Sequence, residues 1–585
     1  RAGDLVYYRE GAAATVSVKR LGGTLSLAVD GKVDATNTGD MLTQRMLAHL
    51  PLLLHPGARE VGIVGLGSGV TAGAALAHPH TRVEAVEISP EVVEAARLFG
   101  DVNRQALADP RLRVVVDDGR HYLLVAGRRF DVLISEPSNP WMAGVSALFT
   151  RDFFALARTR LAAGGLFCQW AHIYNMAPDD LRTVVASFTD VFPDAQLFLL
   201  NEGDVLLVGA EGRFPRPDPA ALAARMASPA VRDDLAGVHV LSAFGLASLF
   251  ALGPPDLAAW AGAAARHTDD LPVLEFRAAR SLHADTSRAN WEDLERASRA
   301  GAMPEPYKTL TAAPTAERLV ERARMLEEAD GFRLALAAFR RAAALEPASL
   351  PALEGIVRTS LFAGQGAEAE ADLRALAAER SPVSARVALA LLYHNQDRPA
   401  DALAALADAA RHDPRNPRAL LLGAEVQAGG GNFEAARGLA AAAVQVAPED
   451  ADARALLAYA RYGQGAVGEA LAMAQQALAR DPRCGRALEV VAIGKARQGD
   501  RKAARRAFEA LLAAEPDGWS HLNNFAVFEL EGGDAHAAAR LFAQAVALNP
   551  GNVYGYRGLR AAARALGDAG LLARAETRLR GLGAQ

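Results

Sequence analysis

Pro414, Pro448, Pro482, Pro516 and Pro550 stand 34 residues apart. Gly431, Gly465, Gly499, Gly533 and Gly567 keep the same step, and so do Ala436, Ala470, Ala504 and Ala538. Three residue types held in phase over such a distance require repetition of one structural unit. Each unit is expected to be a helix, a glycine that ends it in the left-handed region, a second helix and a proline stop. Alanine at a fixed place lets the paired helices approach closely. Gly331 with Phe339 and Pro347, and Gly364 with Pro382, extend the pattern backwards with looser spacing.

A period of 34 with this pattern resembles the tetratricopeptide repeat, over roughly residues 315 to 580. The resemblance implies an all-α solenoid whose concave surface binds a protein partner. A scaffold that makes the chain a homo-oligomer is the plainer alternative, and the alanine-rich faces name no ligand.

The rest of the chain follows a different rule. Val61 to Val70 (Val-Gly-Ile-Val-Gly-Leu-Gly-Ser-Gly-Val) runs from apolar residues into Gly65, Gly67 and Gly69. This predicts a buried parallel strand, a tight turn and the start of a helix whose free N–H groups face a ligand. A second strand is expected over Arg82–Glu87, ending in a carboxylate suited to the hydroxyls of a ribose. Further strands are expected near 112–116, 130–135 and 165–170, with helices such as Pro90–Phe99 and Thr150–Leu161 between them. Strands alternating with helices predict a doubly wound, mostly parallel sheet. Phe198–Leu200 and Val205–Val208 are expected to close it as a hairpin. Ahead of it, residues 5 to 29 alternate apolar and polar, which predicts a small antiparallel sheet ended by Asp30-Gly31, then a helix from Asp40 to Leu54. The expected domains are 1–56 (β region and connecting helix), 57–212 (nucleoside-binding core), 213–313 (linker and helical cap) and 314–585 (repeats).

Composition excludes some classes. A net charge of −5 over 585 residues leaves no basic surface for nucleic acid. Cys168 and Cys484 fall in different expected domains, so no disulfide framework is expected and the setting is a reducing, cytoplasmic one. No apolar run reaches the roughly 18 residues of a membrane helix. The sequence opens at Arg1 without methionine, and an upstream membrane segment would make the whole protein membrane-attached.

The chemistry-bearing motifs follow the strand ends. A dinucleotide fingerprint would place glycine at position 70, where Val70 stands, so the turn fits an S-adenosylmethionine-type nucleoside better. Asp118, with Gly119 after it, follows the third strand and can accept from an adenine amine, or simply cap a helix. After the fourth strand comes Ser135-Glu136-Pro137-Ser138-Asn139-Pro140-Trp141, with Glu136 expected to point into the crevice beyond the sheet.

With these pieces in order, the first 210 residues resemble the spermidine synthase (polyamine aminopropyltransferase) family, in its bacterial branch fused to other modules. The resemblance rests on Asp30-Gly31, Leu50-Pro51 with His55-Pro56, the glycine turn, Glu87, Asp118-Gly119, the 135–140 loop with Leu148-Phe149, and Cys168-Gln169. It implies a small N-terminal β domain, a Rossmann-like class I methyltransferase-type core, and transfer of an aminopropyl group from decarboxylated S-adenosylmethionine to an amine. By resemblance, Gly65, Gly67, Ser68, Gly69, Glu87, Asp118 and Gly119 bind the nucleoside. Glu136 is the base, and Asn139, Asp34 and Gln44 face the acceptor; Tyr174, just after Cys168-Gln169-Trp170, is a candidate for the acceptor pocket by its place at a strand end, with packing as the alternative. No metal is implied, and His121 and His172 lack partners at metal-ligand spacing.

The sequence also departs from the family. The catalytic loop pattern Asp-Ser-Ser-Asp-Pro is Glu136-Pro137-Ser138-Asn139-Pro140 here, so the second acid is neutral. The acid of the glycine turn is Ser68, the glutamine after Asp-Gly is Asp34, and the tyrosine of the next helix is Thr43. Asp269 and Asp270 are candidates for the missing acidity, with a turn or cap as the alternative. Three functions stay open: aminopropyl transfer, methyl transfer from intact S-adenosylmethionine, and a non-catalytic nucleoside-binding domain beside a protein-binding array.

Overall fold

The computed structural model describes residues 3–583 except 143, 283, 285 and 380–382; Pro382 lies outside the described residues. The chain divides into two compact units, one built on Leu25–Glu346 with Leu5–Lys19, the other on the repeats from Pro347 onward.

A four-stranded sheet comes first, most of it in the first unit: β1 (Asp4–Glu10), β2 (Thr15–Leu21), β3 (Thr24–Val29) and β4 (Lys32–Thr36), in sequential order. Asp30-Gly31 does not end this sheet. Both residues take positive φ, as a two-residue hairpin turn requires, and carry the chain back as β4. Helix α1 (Met41–Leu54) follows, with nearly every residue buried. His49 on α1 is fully buried between His78 (2.9 Å) and Asp234 (2.8 Å), tying α1 to the helix Pro229–Ala236.

The main sheet has eight strands: β5 (Glu60–Val64), β6 (Arg82–Glu87), β7 (Leu112–Val116), β8 (Phe130–Ser135), β9 (Leu161–His172), β10 (Gln196–Leu199), β11 (Asp204–Ala210) and β12 (Phe250–Leu252). Their order is β12-β10-β11-β9-β8-β5-β6-β7. The run β9-β8-β5-β6-β7 is parallel, and β11, β10 and β12 close one side antiparallel. Strand β12 comes from the 213–313 stretch, where short helices otherwise prevail. One core layer is aromatic, with Phe154, Phe167, Phe188 and Phe192 in contact at centroid distances of 5.0 to 6.1 Å.

Helices Ala316–Glu328 and Phe332–Leu345 form a hairpin within this same unit. Glu321 anchors it, accepting from the backbone N–H groups of Leu241 and Ser242 (both 2.8 Å) and from the Ser242 hydroxyl (2.7 Å).

From Pro347 the second unit is all helical. Gly431, Gly465, Gly499, Gly533 and Gly567 end the first helix of their pairs with φ between 69° and 86°. Ala436, Ala470, Ala504 and Ala538 are fully buried between paired helices. Among the described residues no helix is long and apolar enough to cross a membrane.

Candidate active site

Strand order reverses between β5 and β8: β6 and β7 lie to one side of β5, β9 to the other. An open parallel sheet leaves a crevice at the carboxyl ends of such strands. Here those ends are Val64 and Ser135, followed by Gly65 and Glu136. The two turns are stitched together, since the Glu136 N–H donates to the Val64 carbonyl (3.0 Å) and the Gly65 N–H to that of Val86 (2.9 Å). Gly65 has φ +94°, and a β-carbon there would come within 2.8 Å of the Glu136 carbonyl oxygen, so only glycine fits. Helix α2 (Val70–Ala77) starts directly after the turn, with Gly69 as its N-cap.

A cavity of about 1030 Å³ opens at this point, lined by the glycine turn (Gly65, Gly67, Ser68), Glu87, Asp118, Gly119 and Glu136. Glu87 is held in place by backbone donors, Leu66 N–H to Oε2 and Ser89 N–H to Oε1 (each 2.9 Å). Asp118 caps helix α3 (Gly119–Val125), accepting from the His121 N–H (2.7 Å), and still faces the cavity. The two readings of Asp118 are therefore compatible. Gly69 does not line the cavity and faces Asn103 and Leu107 instead.

Glu136 accepts from the Thr71 hydroxyl (2.6 Å). Burial pushes its carboxyl up to about 8; the Thr71 hydrogen bond partly offsets this, and the Glu87 charge adds to it. An acid in that range can exchange a proton near neutral pH.

The remaining wall is acidic. Asp204, at the start of β11, accepts from the Thr43 hydroxyl (2.7 Å), Trp170 Nε1 (3.0 Å) and Asn201 Nδ2 (3.3 Å). Burial raises its pKa, against those hydrogen bonds and the charge of Lys32. Asp40 is raised to about 6, also by burial, despite accepting from Thr36. Asp34, Glu202 and Asp330 complete this side. Lys32 pairs with Asp34 at 2.5 Å and reaches the Ser138 hydroxyl at 3.3 Å.

The acceptor-side candidates do not all reach the cavity. Tyr174, Asp34 and Gln44 line it. Gln44 has both amide atoms engaged, accepting from the Ser68 hydroxyl and donating to the Thr36 carbonyl (3.0 Å). Asn139 is fully buried and does not line the cavity; its side chain donates to the Tyr174 hydroxyl (3.4 Å) and its carbonyl accepts from the Met142 N–H (3.0 Å). Asp269 pairs with Arg120, and its N–H is held by Asp152 (2.9 Å); neither Asp269 nor Asp270 faces the cavity. His172 sits among Trp141, Tyr174 and Trp170, with neither ring nitrogen partnered among the described residues. Sequence reasoning missed Lys32, Asp40, Thr71, Asp204 and Asp330. Asp204 alone carried a signal, as an acid at the first position of a strand that is otherwise apolar.

Residues 40–201 match the family model of the spermine/spermidine synthase domain, and 393–460 and 492–553 match tetratricopeptide-repeat models. The polyamine aminopropyltransferase 1 of Pseudomonas aeruginosa is 33% identical over 29% of this chain and 59% of its own length. The polyamine aminopropyltransferase of Archaeoglobus fulgidus is 31% identical over 32% of this chain and 73% of its own. The solved spermidine synthase of Thermotoga maritima aligns over 36% of this chain and 73% of that one, at 24% identity and a TM-score of 0.31. The chain thus spans about three fifths of the Pseudomonas relative and nearly three quarters of the archaeal one. With that reach and identity, the chain belongs to the polyamine aminopropyltransferase (spermidine synthase) family and carries tetratricopeptide repeats after the family domain.

Proposed function

We propose that the first unit transfers an aminopropyl group from decarboxylated S-adenosylmethionine to an amine, with Glu136 as base. The observation that carries this reading is a carboxyl raised to about 8 beside a glycine turn, in a cavity whose other wall is acidic. At about 1030 Å³ the cavity lies at the upper end of the about 300–1,000 Å³ usual for small-molecule pockets, and it puts the glycine turn and the acidic side chains in one space.

An alkylammonium has a pKa of about 10 and carries no free lone pair at neutral pH. Glu136 takes a proton from it, the nitrogen attacks the methylene next to the sulfonium, and the carbon–sulfur bond breaks. Methylthioadenosine leaves as a neutral thioether, and the proton on Glu136 passes to solvent. Glu87 and Asp118 hold the nucleoside. Asp204 holds the acceptor's cationic end, its carboxylate already oriented by three donors, so no reorganisation is needed on binding. The repeats serve a protein partner.

A second reading, methyl transfer from intact S-adenosylmethionine, is favoured by one observation. An acid at position 68 would repel the donor's carboxylate by about 4 kcal/mol at 4 Å and an effective dielectric near 20. Here the residue is Ser68, engaged with Gln44, and the Asp34 charge is answered by Lys32. Donor selection is therefore expected to be weak. Incubation with each donor and putrescine, spermidine or agmatine tests both readings. Methylthioadenosine marks aminopropyl transfer and S-adenosylhomocysteine marks methyl transfer. Neither product with any amine overturns both.

A further inference from the structure

Among the described residues, the cavity wall includes Ala329 and Asp330, the turn of the hairpin Ala316–Glu328 and Phe332–Leu345. The residue two places before each second helix takes left-handed backbone throughout the array. It is glycine at 364, 431, 465, 499, 533 and 567, with φ from 67° to 86°. At this hairpin it is Asp330 with φ 58°, while Gly331 keeps φ −81°. The left-handed region disfavours an aspartate and not a glycine. Asp397 takes the same conformation without belonging to the cavity wall, so backbone strain alone identifies nothing. Place does.

Hydrogen bonds lead outward from the glycine turn to that place: Ser68 to Gln44, Gln44 to Thr36, Thr36 to Asp40. Gly39 comes next, and a β-carbon on it would collide with the Asp330 carboxylate. Asp330 thus stands against Gly39, the residue before Asp40, and is an exposed carboxylate on the cavity wall. No cation among the described residues pairs with it. The turn cannot drift, because Arg333 pairs with Glu202 of the same wall at 2.6 Å and Glu321 anchors the preceding helix.

We propose that Asp330 holds the far ammonium of a long amine acceptor, so that the first hairpin of the array takes part in choosing the substrate. The inference rests on the transfer reading only in taking the second ligand to be an amine. Calorimetric titration of the full chain, saturated with methylthioadenosine, with spermidine and with putrescine tests it. A charge-assisted contact of this kind amounts to about tenfold in affinity. Asp330→Gly and Asp330→Asn should each weaken spermidine by about tenfold and putrescine by less than about twofold. The melting temperature of Asp330→Gly should be unchanged or higher, since glycine suits the turn. Equal losses for both amines, no loss for either, or a wild-type protein that binds spermidine no tighter than putrescine would overturn it. The transfer assay above fails or succeeds separately, because it reads product and not amine affinity.

Discussion

Glu136 is held by one hydroxyl, stands half-buried at the cavity and feels the charge of Glu87, and its chemistry follows from that. Replacing it with glutamine keeps the shape and the Thr71 contact but removes the proton acceptor. Glu136→Gln should lower kcat by about 10²–10⁴ while leaving nucleoside affinity, read by calorimetry, nearly intact. For the wild type, kcat/KM should climb as pH rises toward about 8, the value at which the empty site gives up its proton. A flat profile from pH 6 to 9 would remove Glu136 from the role. Asp204→Asn should act differently, raising the acceptor KM by about tenfold through loss of a charged contact with kcat little changed. The placement of Glu87, Asp118 and Glu136 on the cavity wall was legible in the sequence because strand ends announce it. Asp204 gave only the signal of an acid opening an apolar strand, since its place at the cavity depends on β11 lying antiparallel beside β9, a pairing that brings residues 172 and 204 together. Asn139 lies outside the cavity lining for a related reason: residue spacing in a proline-stiffened loop does not say which side chains turn inward.

At the scale of elements, the glycine turn behaves as the sequence predicts because backbone geometry leaves few choices. Gly65→Ala would force a side chain to φ +94° and against the Glu136 carbonyl. It should destabilise the fold by about 1–3 kcal/mol and weaken nucleoside binding, as a thermal melt and a titration would show. The main strands were legible from apolar runs alone. Two strands were not. Asp30-Gly31 signals a turn, but whether the chain then returns as β4 depends on Val33 and Ala35 finding a partner in β3. Strand β12 has three residues, too few to show a period, and exists because β10 offers it an edge. In the array, the glycine expected at 331 is displaced by one place, because local sequence marks a turn without stating which residue bends.

Across the whole molecule, buried acids make stability depend on pH in a direction opposite to that of an ordinary salt bridge. Glu136 titrates at about 8 in the folded chain against an ordinary 4.5, so the folded state holds the proton more tightly than the unfolded one. Its contribution is therefore complete below about 4.5 and is lost as pH rises through 8. The buried imidazoles of His78 and His172, held below their ordinary 6.5 by burial, work the other way and finish by about 6.5. The melting temperature of the wild type relative to Glu136→Gln should consequently fall between pH 6.5 and 9, in protein free of ligand. The repeat period made the array legible from end to end, but not its division. The compact first unit runs to Glu346, so one hairpin of repeat-like sequence belongs with the sheet. That has a consequence for engineering. A cut after Glu346 keeps every lining residue of the cavity on one piece, whereas a cut at Ala313 would strip the wall of Ala329 and Asp330.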